Sequence, residues 1–240
     1  MKKKRNDNKS ALQGIILLSS LALFCCMPAI AHSFSFSKKE PKLITLPKPA
    51  LDGTLSVEAS MHRRKSARSY ATGALAIAEV SQLLWAAQGI NRQNGMRTAP
   101  SAGALYPLEV YLVAGNVDDL PPGVYYYHPH EHALELITGG DLRPDLARAA
   151  LRQSCIENGA IDLVLAGVYE RTSKKYGSRA SRYVHMEIGH AAQNIYLQAV
   201  ALDLGTVVVG AFDDERVQRT LMMKDNEAPL CIMPVGRRLK

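Results

Sequence analysis

One apolar stripe sets the tightest limit on this fold. Val184, Ile188, Ala191, Ile195, Ala199 and Leu202 recur at helical spacing, and Gly205 closes the run. That pattern predicts a long helix packed along one side, so the chain must also supply a broad surface to receive it. The surface is there in pieces. Residues 108–113, 123–129, 133–137, 161–169, 206–212 and 230–236 are rich in β-branched and aromatic side chains and read as strands, the second and third as a hairpin with its tip at Pro129-His130-Glu131-His132. Between them, Ile77, Val80, Leu83, Leu84 and Ala87 share a helical face ended by Gly89. Residues 141–151 suit a helix with Pro144 in its first turn, and Asp213-Asp214 cap another. Interleaved helices and strands predict an α+β fold, a mixed central β-sheet flanked by helices with one long central helix.

At 240 residues the chain is long enough for one sizeable domain, taken as residues 55–240. Residues 1–31 read as a signal peptide: a basic start (Lys2 to Lys9), an apolar run from Gly14 to Phe24, and the small-x-small signature Ala29-Ile30-Ala31. An uncleaved anchor and a lipidated cysteine at Cys25 or Cys26 are the rivals. The apolar run is short for a spanning helix, and the bulky Phe24 precedes the cysteines. The mature protein is therefore expected to begin near His32, to be exported to the periplasm or another extracytoplasmic space, and to keep no stable membrane association. Residues 32–54, with Pro41, Pro47 and Pro49, read as an extended arm in which Leu43-Ile44-Thr45-Leu46 pins to a surface. More than half of the net charge of +7 lies in the first 31 residues, too little being left to argue for nucleic acid. Cys155 and Cys231, the cysteines left after cleavage, read as two buried thiols.

Four features carry candidate chemistry. Ala99-Pro100-Ser101-Ala102-Gly103-Ala104-Leu105-Tyr106-Pro107 is a small-residue loop leading into a core strand, a common way to set a ligand against a rigid sheet. Arg63-Arg64-Lys65-Ser66-Ala67-Arg68 gathers four cations and a hydroxyl, a set that suits phosphate, weighed against a solvated helix end. His128, His130 and His132 crowd the hairpin tip, where a wet turn is favoured over a metal site. Glu187 and His190 form one Glu-x-x-His unit; di-iron bundles need two, so a packed core histidine is expected.

The basic stretch, Pro100-Ser101-Ala102-Gly103, Val209-Gly210-Ala211-Phe212-Asp213-Asp214 and Pro234-Val235-Gly236-Arg237 together resemble the nitroreductase family of flavin enzymes, and more closely its SagB-type dehydrogenase branch. Gly189-His190-Ala191-Ala192-Gln193-Asn194 and Gly205-Thr206 fit that branch too. The resemblance spans roughly residues 43–238. It implies a homodimer with two FMN molecules at the subunit interface, each touched by both chains, and a small-molecule substrate. Carried over by position, Arg64 and Ser66, with Lys65 between them, would hold the FMN phosphate and ribityl chain. Arg68 would stand at the N1/O2 edge, where reduction builds negative charge. Pro100, Ser101 and Ala102 would come from the partner subunit, the Gly210 backbone would face flavin N5, Gly103 and Val209 would also line the cofactor site, and Arg237 would add a phosphate contact. Where the family often has an asparagine this chain has Ala104, so that contact is missing. The azoline-oxidising members use a Lys-Tyr pair for proton removal where this chain has Lys175-Tyr176, weighed against a solvated loop. The expected activity is FMN-dependent oxidoreduction by hydride transfer, with no metal. The rivals are an exported flavin-binding or scaffold protein without turnover and a membrane-tethered binding domain without flavin.

Overall fold

The computed structural model describes residues 42–239; the leader segment and the start of the arm lie outside them. In chain order the elements are β1 (Leu43–Thr45), α1 (Val57–Arg63), β2 (Tyr70–Ala71), α2 (Ile77–Gln88), β3 (Leu108–Ala114), β4 (Gly123–His128), β5 (Ala133–Gly139), α3 (Arg143–Ala149), α4 (Ser154–Asn158), β6 (Ile161–Gly167), α5 (Tyr169–Tyr176), α6 (Ala180–Ala201), β7 (Leu204–Thr206), α7 (Asp214–Thr220) and β8 (Ala228–Arg238). The strands form one sheet in the order β1-β5-β4-β3-β6-β8-β2, with β7 also on β8. Every named ladder is antiparallel. The parallel contacts of this sheet are isolated bridges, Ser66 with Thr206 and Leu75 with Val117.

Strand alternation divides the core in two. Leu108, Val110 and Leu112 of β3 and Leu163 and Leu165 of β6 meet α2 and α6 on one face, while Tyr111, Val113, Val164 and Ala166 meet α3, α4 and α7 on the other. Local chemistry sets the helix boundaries. The Ser56 hydroxyl accepts the Ala59 N–H to start α1, the Glu79 carboxylate accepts the Ala76 N–H ahead of α2, and Asp213 accepts the Arg216 N–H to start α7. Cys155 lies in the second core and Cys231 in the first, so the sheet separates the two buried thiols. Burial pushes the Cys231 thiol up to about 12.

Four expectations need correction. Residues 206–212 do not form one strand: the ladder with β8 ends at Thr206, and the chain touches β8 again only at Val209, which exchanges backbone bonds with Ile232. Lys175 and Tyr176 lie on helix α5 rather than in a loop. His190 is exposed on α6 and it is Glu187 that is buried. His132 is not in a wet turn. Its Nδ1 meets the Tyr127 hydroxyl at 2.8 Å, and its Nε2 meets the Ser81 hydroxyl at 2.7 Å and the Pro47 carbonyl at 3.0 Å. It thereby locks the arm to the hairpin, and burial lowers its pKa.

One buried group gives a pH-dependent expectation. Asp162 of β6 is fully buried, and neither carboxylate oxygen has a hydrogen-bond partner. Burial therefore holds its pKa well above the usual aspartate range, against the pull of Arg143. The unfolded chain ionises this group near pH ~4. Its contribution to stability is thus complete below that pH and falls progressively as pH rises toward the folded-state pKa. Denaturant unfolding across pH should show a loss in the wild type that Asp162→Asn lacks. Parallel curves for the two proteins would contradict the assignment.

Candidate active site

The sequence-predicted residues fall into two groups on opposite sides of α6. The first group is gathered by Tyr196. Its hydroxyl accepts the Val208 N–H at 2.9 Å and lies 3.2 Å from the Ser66 hydroxyl. Either hydroxyl can donate in that contact, and in both cases one proton of the pair is left for a ligand. The Arg64 guanidinium stacks over the same ring, 5.1 Å from its centroid. Lys65, Ser66 and Arg68 are exposed, and Arg68 makes no ion pair among the described residues. A parallel bridge from Ser66 to Thr206 sets this segment beside β7. The buried Val209 is tied to β8, and the next residue, Gly210, is exposed; a Cβ placed there would meet nothing within 4 Å. The chain's own packing does not require that glycine, so its open backbone is left for a ligand. Cations, a hydroxyl and bare backbone on one rim make a site suited to a phosphorylated, flat molecule.

The second group is the loop from Pro100 to Tyr106. Gly103 has φ +64°, and a Cβ there would lie 2.9 Å from both Lys175 Nζ and the Tyr176 hydroxyl. Glycine suits this backbone conformation, and the ends of the Lys175 and Tyr176 side chains lie against it. Arg171 of α5 donates to the Tyr106 carbonyl at 2.9 Å and pairs with the buried Glu109 of β3. The Tyr126 hydroxyl donates to the other Glu109 oxygen at 2.6 Å. This network fixes α5 to the strand that follows the loop, and so sets Lys175 and Tyr176 beside Gly103. Tyr176 packs edge-on to Tyr183 with centroids 4.8 Å apart, and Lys175 Nζ stands 5.5 Å from the Tyr176 ring centre. The residues brought together here are Pro100, Ser101, Ala102, Gly103, Lys175 and Tyr176.

Arg237 joins neither group. Its guanidinium pairs with both Glu79 oxygens at 2.6 and 2.8 Å and donates to the Ala74 carbonyl, so it braces α2 against β8. Four of its five N–H groups are spent inside the protein, so the phosphate contact expected of it gives way to a structural clamp. Sequence reasoning missed Tyr196, whose place in the apolar helix pattern hid a polar task. It also missed the Arg171–Glu109 pair, whose partners lie far apart in sequence.

Comparisons with known proteins place the chain among relatives of one fold. The nitroreductase family profile matches residues 61–237. The chain is 45% identical over 186 residues to MJ1384 of Methanocaldococcus jannaschii, a protein named as a nitroreductase, covering 78% of this chain and 93% of that one. A nitroreductase structure from Ralstonia eutropha JMP134 superposes with a TM-score of 0.73 at 30% identity, covering 82% of this chain and 90% of that one. A chain of the Escherichia coli microcin synthetase McbBCD complex, solved with truncated pro-MccB17 bound, gives a TM-score of 0.63 at 26% identity, covering 91% of this chain and 85% of that one. With most of its length matched in both sequence and fold, the chain belongs to the nitroreductase family, whose members are in general FMN-dependent oxidoreductases.

Proposed function

We propose that this chain is an exported, homodimeric, FMN-dependent oxidoreductase of the SagB-type branch, acting on a small-molecule substrate. The observation that carries the reading is the Tyr196 cluster, where Arg64, Ser66 and the Val208–Gly210 backbone share one rim. Its donor set fits the flavin. Arg64, Lys65 and Ser66 would hold the phosphate, Arg68 would stand at the edge that gathers charge on reduction, and bare backbone at Gly210 would meet the ring. Arg237 has no part in this, being held by Glu79.

FMN, when bound, supplies the two-electron redox chemistry. The chain's own part is to bind, orient and handle protons. Lys175 Nζ and the Tyr176 hydroxyl, side by side at Gly103, are placed to take a proton from a substrate lying against the loop. The two groups also argue for two chains per site. Glu187, which touches the loop, and Tyr196 are nine residues apart on α6, about 13–14 Å along the axis and half a turn apart around it. A two-fold partner would bring its loop to the other chain's phosphate rim. The signal-like leader supports export, and outside the cytoplasm direct oxidation of an organic substrate is favoured over a nicotinamide donor. Relatives named for nitroreductase activity do not favour a scaffold without turnover.

An absorbance spectrum of the purified protein tests the reading. Flavin bands that bleach with dithionite and return in air are the expected result. A protein that stays colourless after incubation with FMN would overturn it.

A further inference from the structure

We propose that Glu187 is a positioning residue that holds the loop from Ser101 to Tyr106 in its ligand-ready shape. The functional half of this inference rests on the flavin reading above; the structural half does not. Along α6 the buried side is otherwise small or apolar: Ala180, Val184, Ala191, Ala192, Ile195 and Ala199. Glu187 interrupts that stripe and is only 4% exposed. A buried carboxylate in an apolar stripe costs stability unless it has partners, so its partners show its task. Its Oε1 accepts the Ala102 N–H at 2.9 Å, a bond that ties it to the loop. Burial raises its pKa, while the Ala102 N–H, the neighbouring Ser101 and the nearby His190 oppose that shift.

The loop needs such a hold. Gly103, Ala104 and Tyr106 all have left-handed backbone, with φ of +64°, +54° and +45°. Two of the three carry side chains, and such conformations persist only where surrounding contacts enforce them. Arg97 N–H to the Tyr106 hydroxyl and Arg171 to the Tyr106 carbonyl secure the far end. Glu187 secures the near end. The Ser101 hydroxyl also accepts the Tyr106 N–H at 2.8 Å, which closes the loop on itself.

The experiment measures amide hydrogen exchange in flavin-free protein and FMN affinity by fluorescence titration. Glu187→Ala is expected to speed exchange at residues 101–106 and weaken FMN binding, each about tenfold or more, the scale of one lost charge-assisted bond. Exchange in β3 and β6 should not change. Glu187→Gln keeps an acceptor for Ala102 and should restore affinity to within about threefold of wild type. A folded Glu187→Ala protein with wild-type loop exchange and affinity would overturn the proposal, as would a Gln variant no better than Ala. If Glu187→Ala does not fold, Glu187→Asp, which withdraws the carboxylate by one methylene, is judged by the same loop-confined exchange. A wild type that binds no FMN would sink the flavin reading, leaving the exchange result to judge Glu187 alone.

Discussion

Replacing Arg64 by alanine is expected to strip the purified protein of FMN, whereas replacing Arg68 should leave it yellow but slow. The two arginines differ in how they are held. Arg64 caps α1 and its guanidinium is preset over Tyr196, beside the Ser66 hydroxyl, so its hydrogen-bonding fork is ordered before a phosphate arrives. A charge-assisted bond of that kind is worth about 1.5–3 kcal/mol, or roughly 10- to 150-fold in affinity. Arg68 is exposed and makes no ion pair among the described residues, so its charge is available to a group that becomes negative only on reduction. Its loss should lower the flavin potential and slow reduction on the scale of one missing preorganised donor, about 2–3 kcal/mol. Bound flavin is measured from the absorbance of each variant, and the potential is titrated in whichever retains it. An Arg68→Ala protein with wild-type potential and rate would remove this residue from the flavin edge.

Mixed dimers should show a still larger contrast. One chain carries Arg64→Ala and the other Gly103→Val; the β-branched valine is strained at the +64° backbone and pushes the ends of Lys175 and Tyr176 aside. Each homodimer is expected to bind FMN poorly. In the mixed dimer, the Gly103→Val chain still offers an intact Arg64 rim, and the Arg64→Ala chain still offers an intact loop. If sites are built from both chains, one site per dimer is whole and binds one FMN at near wild-type affinity. If each chain builds its own site, both sites are damaged and the dimer stays colourless. Differently tagged chains, purified in tandem and assayed for flavin per dimer, decide between these outcomes. A stable monomer with bound FMN in light scattering would end the two-chain reading outright.

The frame of the fold was legible because its elements carry clear periods. The α2 face, the β3 run, the β4–β5 hairpin and the long α6 stripe all lie where apolar spacing predicts them. What the sequence hid was held by tertiary contacts. Helix α5 is polar almost throughout, with Glu170, Arg171, Lys174 and Lys175, and is secured by Arg171 reaching Glu109 and Tyr106 rather than by an apolar face. The strand expected over 206–212 is apolar enough, but Val208 turns outward, 38% exposed, and its N–H goes to Tyr196 instead of a neighbouring strand. Arg237 illustrates the limit of motif transfer: its place in the closing motif suggested a ligand contact, while the residue that claims it, Glu79, is far away in sequence. Glu187 and Tyr196 share that difficulty, since a polar residue in a helical stripe does not reveal its partner.

The short arm strand has a consequence for how copies of this chain meet. Pairing with β1 covers Ala133, Leu134 and Glu135 of the outer hairpin strand, and the chain beyond it is stitched down by Leu46 to the His132 carbonyl and by Ala50 to Gln82. Pro47 and Pro49 follow, and neither has an N–H to offer another strand. At the opposite rim β2 is only two residues long. Among the described residues the open border is broken into short pieces, β1, residues 136–139 of β5 and β2, so edge-to-edge polymerisation has little to grow from. Self-association is thereby steered away from fibres and toward contacts made through helices and loops.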